Sequence, residues 1–523
     1  MSTTEPRTSA RVDRTVAGVS VGALAVFVFA AIIAPGTVGA WVTVGFEKSA
    51  AWFGAYWQLM LLLTFALALV IAATPYARAR LGGQDSPEFS RFKWIAMIMC
   101  TLLAGGGVFW AAAEPMYHFV SSPPYFGAMP RGSDQAAHAA LAQSFMHWGF
   151  LAWAILGSLG AIVIMYGVEQ GMPLRPRTLL YPLLGQRVLT SKIATATDIV
   201  CIIAVVAGTV GPIGFLGLQV SYGLSTLFGI PNVYPTQLGV IVVLSAIAVA
   251  SVVSGIHRGI QWLSRLNVWL ALGLMLAVTV AGSASYVGAA FLGGFGTYVE
   301  NFVGMSLYQG DTAWVSTWTV FFFGWFLGYG PLMAIFIARI SRGRTVRDLV
   351  VGTAVLPPIA TCLWFTVLGG TGIMLEQRDP GSISEPLTNA GLPAAVMTIA
   401  DHLPLGGVLS VGFLVLTTLF VATTADSMAY AVAQSSTDGD RPSSGLRATW
   451  AILMGAAAAT LISVGDGGIT ALQSFIVVTA VPVGVIMLPT LWAAPLYVRR
   501  LAADQRLNAQ HADQGQQRSA SVR

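Results

Sequence analysis

Long apolar runs recur along the whole chain, and they constrain the fold more than any other feature of the sequence. A helix needs roughly 17–25 apolar residues to cross a bilayer. Only 9% of the residues are charged, whereas soluble domains carry about 25%. The sequence therefore predicts an all-α polytopic membrane protein with twelve transmembrane helices. Their centres lie near Ala25, Leu63, Ala104, Ala152, Gly208, Ser245, Leu274, Gly324, Trp364, Leu419, Ala456 and Val481.

The distribution of Lys and Arg predicts the orientation of these helices. Cytoplasmic loops of membrane proteins are enriched in basic residues. With both termini in the cytoplasm, all of the 27 basic residues face inward except Lys48, Arg131 and Arg378. We therefore expect a multi-pass protein of a bacterial-type inner (cell) membrane. The net charge of +5 reflects this topology, and we expect no nucleic-acid partner.

The sequence carries no pattern typical of an enzyme. It has no Walker-type phosphate loop, no HExxH and no nucleophile elbow. Cys100, Cys201 and Cys362 all lie within apolar runs, which is typical of small buried hydrophobic residues rather than of disulfides or metal ligands. We therefore expect a protein without enzymatic activity, without a cofactor and without ATP-driven transport.

Glycine and proline clusters interrupt three of the apolar runs, at residues 105–107, 208–212 and 328–331. Each glycine weakens a helix by about 1 kcal/mol relative to alanine. Such clusters serve either close packing of helices or an unwound segment whose carbonyls face an ion or a substrate. In the eighth run we expect Gly328, Gly330 and Pro331 to interrupt the helix.

Aromatic residues form a stripe on the eighth helix. With spacings of four, three and four residues, one face of that helix carries Trp318, Phe322, Trp325 and Tyr329. Such a stripe is most often packing, but in a membrane it is also a candidate cage for a cationic solute, because π-faces attract quaternary ammonium groups. On the fourth helix, Trp148 and Trp153 are about 140° apart, so both line one site only if that helix bends or sits edge-on to the site.

Polar residues within the apolar runs are the remaining candidates for function. Glu114 is an intramembrane carboxylate and therefore a candidate functional residue, although a structural role near the outer end of its helix is an equal alternative. We interpret His147 as a packing residue, because no second ligand lies at a spacing suited to a metal site. The tenth helix gathers side-chain oxygens that suit a small hard cation. These oxygens belong to Thr423, Thr424, Asp426 and Ser427.

Several segments in combination resemble the betaine/choline/carnitine transporter (BCCT) family. They are residues 87–90, 107–115, 147–149, 255–267, 318–347 and 425–427. The resemblance covers about residues 15–498 and implies two inverted five-helix repeats of the LeuT type, preceded by two extra N-terminal helices. The domains are a flexible N-terminus (1–14), the extra helices (15–80), the first repeat (92–283), a periplasmic interfacial helix (284–311), the second repeat (312–498) and a short cytoplasmic tail (499–523).

The resemblance implies a solute with a quaternary ammonium or sulfonium group, held in a box of aromatic rings. Carried over to this sequence, the substrate-binding residues are Trp148, Trp153, Trp325, Phe326, Tyr329, Gly105 and Gly106. Two positions differ from the family pattern, because Phe326 stands where many members have tryptophan and Leu156 where tyrosine is common. The substrate therefore stays open among betaine, choline, carnitine, ectoine-like and sulfonium solutes.

The resemblance also implies sodium as the coupling ion. The expected sodium ligands are the hydroxyls of Thr423 and Thr424 with the carbonyls of Phe420, Cys100 and Leu103. Thr209 is the candidate for a second ion site, at which Val205 and Leu332 replace two expected side chains. We expect sodium symport by alternating access, in a homotrimer embedded in the lipid bilayer. A sodium-independent exchanger and a membrane solute sensor that does not translocate are the alternatives.

Overall fold

The computed structural model describes residues 11–102, 106–254, 257–438, 442–464 and 468–521, which are almost entirely helical. The α-helices of eight or more residues are numbered in chain order. They are α1 (Arg14–Ile33), α2 (Pro35–Ala73), α3 (Arg91–Leu102), α4 (Val108–Val120), α5 (Asp134–Trp148), α6 (Phe150–Gly157), α7 (Leu159–Glu169), α8 (Lys192–Phe228), α9 (Tyr234–Ser254), α10 (His257–Ala281), α11 (Ala284–Glu300), α12 (Phe321–Ile340), α13 (Leu356–Phe365), α14 (Thr371–Arg378), α15 (Gly406–Ser435), α16 (Ser444–Leu461), α17 (Ile469–Met487) and α18 (Thr490–Ser521).

The helices confirm a multi-pass membrane protein. Within the described residues, nine helical stretches are long and apolar enough to cross a membrane. The number rises to ten if Arg265–Ala281 and α11, which meet at 102°, form one bent span. The predicted third, seventh and eleventh runs fall on α3 with α4, on α10 and on α16. Twelve spans in two inverted repeats stay a prediction.

Polar residues determine where several of these helices begin. The carboxylate of Asp13 accepts a hydrogen bond from the backbone N–H of Val16 at 3.1 Å, at the start of α1. The Ser133 hydroxyl caps α5 in the same way, and Ser191 caps α8. Such caps satisfy backbone donors that have no partner within the helix. They place the helix starts at short polar segments between apolar runs.

The predicted interruption of the eighth apolar run is wrong. Helix α12 continues from Phe321 to Ile340 through both glycines and Pro331. A proline removes only one backbone donor, and neighbouring helices in a membrane protein can compensate for it. A Cβ atom on Gly330 would lie 3.5 Å from the Met487 side chain and 3.6 Å from the carbonyl oxygen of Ile155. These are ordinary van der Waals distances, so packing against α17 and α6 does not require glycine at this position.

The core of the bundle lies around α8. This helix packs against α12, α15 and α17, and α12 also packs against α17. Trp57, Phe215 and Phe321 are completely buried in the interior, whereas Phe29 and Trp52 on α1 and α2 are 65% and 72% exposed. Exposed apolar side chains of this size suit a lipid surface, because lipid solvates them as well as the protein interior does.

Parts of both predicted terminal segments contain regular secondary structure. Arg11–Val12 pairs in antiparallel fashion with Thr437–Asp438, and the Asp13 carboxylate lies 3.1 Å from the guanidinium of Arg175. Residues 11–14 of the predicted flexible N-terminus are therefore attached to two other segments. At the opposite end, α18 continues to Ser521 and includes most of the predicted polar tail.

Candidate substrate and ion sites

The candidate site lies where the third apolar run leaves regular α-helical geometry at Gly106, a position called the break here. Helix α3 ends at Leu102 and α4 begins at Val108. Between them, Gly106 has a φ of +140°, which is outside the helical region and is accessible mainly to glycine. A Cβ atom here would lie 2.9 Å from the ring of Trp325. The sequence-predicted residues Leu103 and Gly105 lie outside the described residues, and Cys100 belongs to α3.

Three predicted box residues form one aromatic cluster beside this break. The ring of Trp148, at the end of α5, meets the rings of Trp325 and Phe326 on α12 nearly edge-on, at centroid distances of 5.8 and 5.3 Å. The rings of Trp325 and Phe326 are nearly parallel, with an interplanar angle of 7°. All three side chains are buried. The three rings therefore form one compact cluster inside the bundle.

The proline in α8 explains how Trp325 is held. Pro212 has no N–H, so the carbonyl of Gly208, four residues earlier, lacks its partner within the helix. The indole N–H of Trp325 donates to this carbonyl at 3.1 Å. A Cβ atom at Gly208 would lie 2.6 Å from the ring of Tyr329, so glycine permits both aromatic rings to approach α8. Helix α8 remains continuous, and the free carbonyl in its weakened turn accepts the hydrogen bond that holds Trp325.

Tyr329 and Thr209 are also brought together. The hydroxyl oxygens of these two residues are 3.1 Å apart, and the Thr209 hydroxyl also donates to the carbonyl of Val205 at 2.8 Å. The hydroxyl that the sequence offers for a second ion therefore contacts the aromatic box directly. Binding of an ion by the Thr209 hydroxyl remains a prediction.

The candidate sodium residues lie in the middle of α15. The hydroxyl of Thr423 donates to the carbonyl of Leu419 at 2.8 Å and lies 3.3 Å from the carbonyl oxygen of Phe420. It also accepts from the side-chain amide of Asn267 on α10, at 3.3 Å. Thr424 is buried beside it. The site therefore combines two adjacent hydroxyls with an amide group that the sequence did not single out.

Comparison with known proteins decides the family. The sequence model described as "BCCT, betaine/carnitine/choline family transporter" matches residues 15–503. The chain belongs to the BCCT family. It is 49% identical to "Glycine betaine transporter 2" of Vibrio parahaemolyticus over 486 residues, which cover 92% of this chain and 90% of that one. The members of this family are transporters and not enzymes, so the chain is a membrane transporter.

The names of two more distant relatives specify the solutes that those proteins transport. The chain is 33% identical over 452 residues to "Glycine betaine transporter OpuD" of Bacillus subtilis, covering 85% of this chain and 86% of that protein. It is 31% identical over 476 residues to the "Ectoine/hydroxyectoine transporter" of Virgibacillus pantothenticus, covering 90% and 93%.

Trp153, which the BCCT resemblance adds to the box, lies apart from the other rings. The helix is interrupted at Gly149, between α5 and α6. The bend that would let Trp148 and Trp153 line one site is therefore present. However, the indole N–H of Trp153 donates to the hydroxyl of Thr361 at 3.1 Å. Among the described residues, the ring contacts that join Trp148 to Trp325 and Phe326 do not extend to Trp153.

In this BCCT member, Glu114 contacts a ring of the candidate aromatic box. One of its carboxylate oxygens accepts from the indole N–H of Trp148 at 2.8 Å, and the other lies 2.5 Å from Nδ1 of His147. Both side chains of the Glu114–His147 pair are fully buried. The sequence identified Glu114 as a candidate. Its partners His147 and Trp148 are 33 and 34 residues away, so these contacts are apparent only once α4 and α5 are packed together.

Trp110 is a site residue that sequence reasoning missed. Its ring packs on those of Phe215 and Phe322 at centroid distances of 5.5 and 5.0 Å. Its indole N–H is buried without a hydrogen-bond partner among the described residues. The indole nitrogen lies 3.7 Å from the position of a Cβ atom at Gly106. Among the described residues, the N–H of Trp110 beside Gly106 therefore has no acceptor. The tryptophan in the 107–115 motif is the signal that could have pointed to it.

Proposed function

We propose that the chain imports a zwitterionic quaternary-ammonium solute of the glycine betaine type by sodium symport. The observation that carries this proposal is the cluster of Trp148, Trp325 and Phe326 beside the break at Gly106. Aromatic faces attract cations within about 6 Å of the ring centroid, and broken helices commonly form the substrate site of secondary transporters. Two of the relatives are glycine betaine transporters, at 49% and 33% identity.

The N–H of Trp110, which has no acceptor in the part of the chain that the structure describes, supports a carboxylate on the substrate. A buried donor without an acceptor is unfavourable, and a bound carboxylate would supply the acceptor at the helix break. The same solute would then present its ammonium group to the rings and its anionic group to Trp110 and the backbone near Gly106. Betaines and ectoines carry such a carboxylate, whereas choline does not.

The short distances within the cluster support alternating access. A quaternary ammonium held between two rings would approach each to within about 6 Å, so the rings would have to be much farther apart than the 5.3 Å between Trp148 and Phe326. Binding would therefore require α5 and α12 to separate. We interpret the closed cluster as one state in the transport cycle and its opening as the step that admits the solute.

The environment of Thr423 favours sodium symport over sodium-independent exchange. An exchanger of this type would need a built-in cation in place of the ion, whereas the α10 residue that contacts the Thr423 hydroxyl is the neutral Asn267. Arg447 lies nearby, but its guanidinium is 3.2 Å from the carboxylate of Asp426, which neutralises its charge. Asp426, which the sequence offered as a cation ligand, is thus part of a buried ion pair.

A binding screen tests the proposed substrate class. The purified chain would be heated with glycine betaine, ectoine, carnitine or choline, with sodium and with potassium. We expect glycine betaine to raise the melting temperature most, and more strongly in sodium, because a ligand stabilises the state that it binds. Equal stabilisation by choline would contradict the zwitterion requirement. Equal stabilisation in potassium would contradict sodium coupling.

A further inference from the structure

A second buried polar cluster lies behind the aromatic box. Glu114 and His118 are one turn apart on α4, and His147 faces them from α5. The three side chains are fully buried. Each offers one ligand atom such that all three atoms lie within 4.8 Å of one another. The helical spacing brings the first two together, and the packing of α4 on α5 adds the third.

His118 has no role in the aromatic box. Neither of its ring nitrogens has a hydrogen-bond partner among the described residues, and Nε2 is 3.5 Å from the carboxylate of Glu114. Its ring lies among those of Trp318, Trp314 and His147, with centroid distances of 4.7, 5.5 and 6.0 Å. A buried imidazole without a partner is unfavourable unless another group satisfies it. The geometry therefore leaves a nitrogen ligand available beside a carboxylate.

We infer that Glu114, His118 and His147 bind a divalent transition-metal ion of the Zn²⁺ type, and that this ion inhibits transport. Two imidazoles and one carboxylate are a donor set that suits Zn²⁺. Mg²⁺ and Ca²⁺ prefer sites built only from oxygen. The ion would replace the hydrogen bond between Glu114 and His147, so the proton of that bond would leave Nδ1 for Nε2 of His147, which lies 3.1 Å from the hydroxyl of Thr319.

The residues around the cluster resemble the outer shell of a metal site. Nε2 of His147 lies 3.1 Å from the hydroxyl of Thr319 and 3.2 Å from the side-chain amide of Gln143. Trp148 donates to the second oxygen of Glu114 at 2.8 Å. Hydrogen bonds of this kind orient metal ligands and are typical of functional sites. Two of the three ligands are thus already oriented.

The inhibitory effect rests on the proposed function. Glu114 contacts Trp148, and admission of a solute requires Trp148 to move away from α12. An ion bound by Glu114, His118 and His147 would join α4 to α5 and hold Trp148 in the closed cluster. We therefore expect Zn²⁺ to reduce the maximal rate of uptake.

Binding of Zn²⁺ to the purified full-length chain tests the site without reference to transport. We expect one equivalent to bind the wild type in a calorimetric titration. His118→Phe should weaken binding by roughly 100-fold, since it removes one of the three ligands. His402→Phe is the matched control, because His402 is exposed and lies outside the cluster, and it should bind as the wild type does. Excess Mg²⁺ should not displace the ion.

The outcomes separate the two proposals. A wild type that binds no Zn²⁺, or a monodisperse His118→Phe variant that binds it equally well, would overturn the site. A second variant, His118→Gln, covers the case in which the phenylalanine variant does not fold, and it should also lose binding. In proteoliposomes, Zn²⁺ should inhibit wild-type uptake but not uptake by the variant, and uptake without inhibition would overturn the regulatory role. If no solute is transported at all, the proposed function fails while the titration still decides the metal site.

Discussion

At the scale of single residues, Trp148 and Trp325 are each held by an acceptor outside the aromatic cluster. Trp148 donates to Glu114 and Trp325 donates to the carbonyl of Gly208. These bonds fix the edges of both indoles, whose planes meet at 81°. The box therefore depends on two polar contacts as well as on its rings.

Replacing Trp325 by phenylalanine should weaken substrate binding. The variant loses the bond to Gly208 and the stronger cation–π face of an indole, which together are worth about 1–2 kcal/mol, or roughly tenfold in affinity. The measurement is the KM for glycine betaine uptake. Trp52→Phe is the control, because Trp52 is 72% exposed, and it should leave KM unchanged. A Trp325→Phe variant with wild-type KM would exclude this ring from the site.

Replacing Trp110 by phenylalanine should discriminate among substrates. Loss of its N–H should weaken glycine betaine binding by about tenfold, because hydrogen bonds to charged groups are worth roughly 1.5–3 kcal/mol. Binding of choline, which lacks the carboxylate, should change little. The measurement is inhibition of labelled betaine uptake by each unlabelled solute. Trp450→Phe removes another buried N–H without a partner among the described residues. If it had the same effect, the effect would not be specific to the site.

The individual residues of the box could be predicted from the sequence more readily than their contacts. The aromatic stripe and the family motifs identify Trp325, Phe326 and Tyr329. The contact of Thr209 with Tyr329 joins residues 120 positions apart. Such pairs depend on how α8 docks on α12, and helical periodicity within one segment contains no information about that docking.

At the scale of elements, the break between α3 and α4 is the feature on which the site depends. Glycine clusters predict weakness in a helix, but they do not predict whether the helix breaks. At Gly106 the backbone leaves the helical region, whereas α8 and α12 continue through their glycines and prolines. Within α8, the indole N–H of Trp325 satisfies the carbonyl of Gly208 that Pro212 leaves free.

Replacing Gly106 by alanine should abolish transport. Its φ of +140° is unfavourable for any residue with a Cβ atom, and the added atom would lie 2.9 Å from Trp325. We expect a lower melting temperature and a loss of uptake of more than about tenfold, since strained backbone of this kind costs about 1–3 kcal/mol.

Gly22→Ala on α1 is the control for that substitution. Nothing lies within 4 Å of its added Cβ atom, and alanine favours a helix, so uptake should not fall. If Gly106→Ala transported as well as Gly22→Ala, the break would not require glycine.

At the scale of the whole molecule, the candidate residues of the ion site lie in distant parts of the chain. Thr423 on α15 contacts Asn267 on α10, and the family places further ligands at the end of α3. Sodium bound there would couple the two repeats that the resemblance implies. That the chain is a multi-pass membrane protein of this family could be predicted from composition and motifs alone. The arrangement of the helices around this site could not, because it depends on packing between segments far apart in sequence.

Replacing Thr424 by alanine should raise the sodium concentration needed for half-maximal uptake. The variant loses one oxygen ligand of a hard cation, and we expect a shift of roughly tenfold. Thr418→Ala on the same helix is the control, because the hydroxyl of Thr418 donates to the carbonyl of Leu414 and lies outside the proposed site. A normal sodium dependence in Thr424→Ala would remove this residue from the coupling site.

The most direct test of the central claim is the initial rate of labelled glycine betaine uptake into proteoliposomes. Each preparation would be measured with an inward sodium gradient and with potassium in its place. We predict saturable uptake by the wild type in sodium, little uptake in potassium and none with Trp325→Ala in either. Uptake by Trp325→Ala at the wild-type rate, or no sodium-driven uptake by the wild type, would contradict a betaine symporter built around this aromatic cluster.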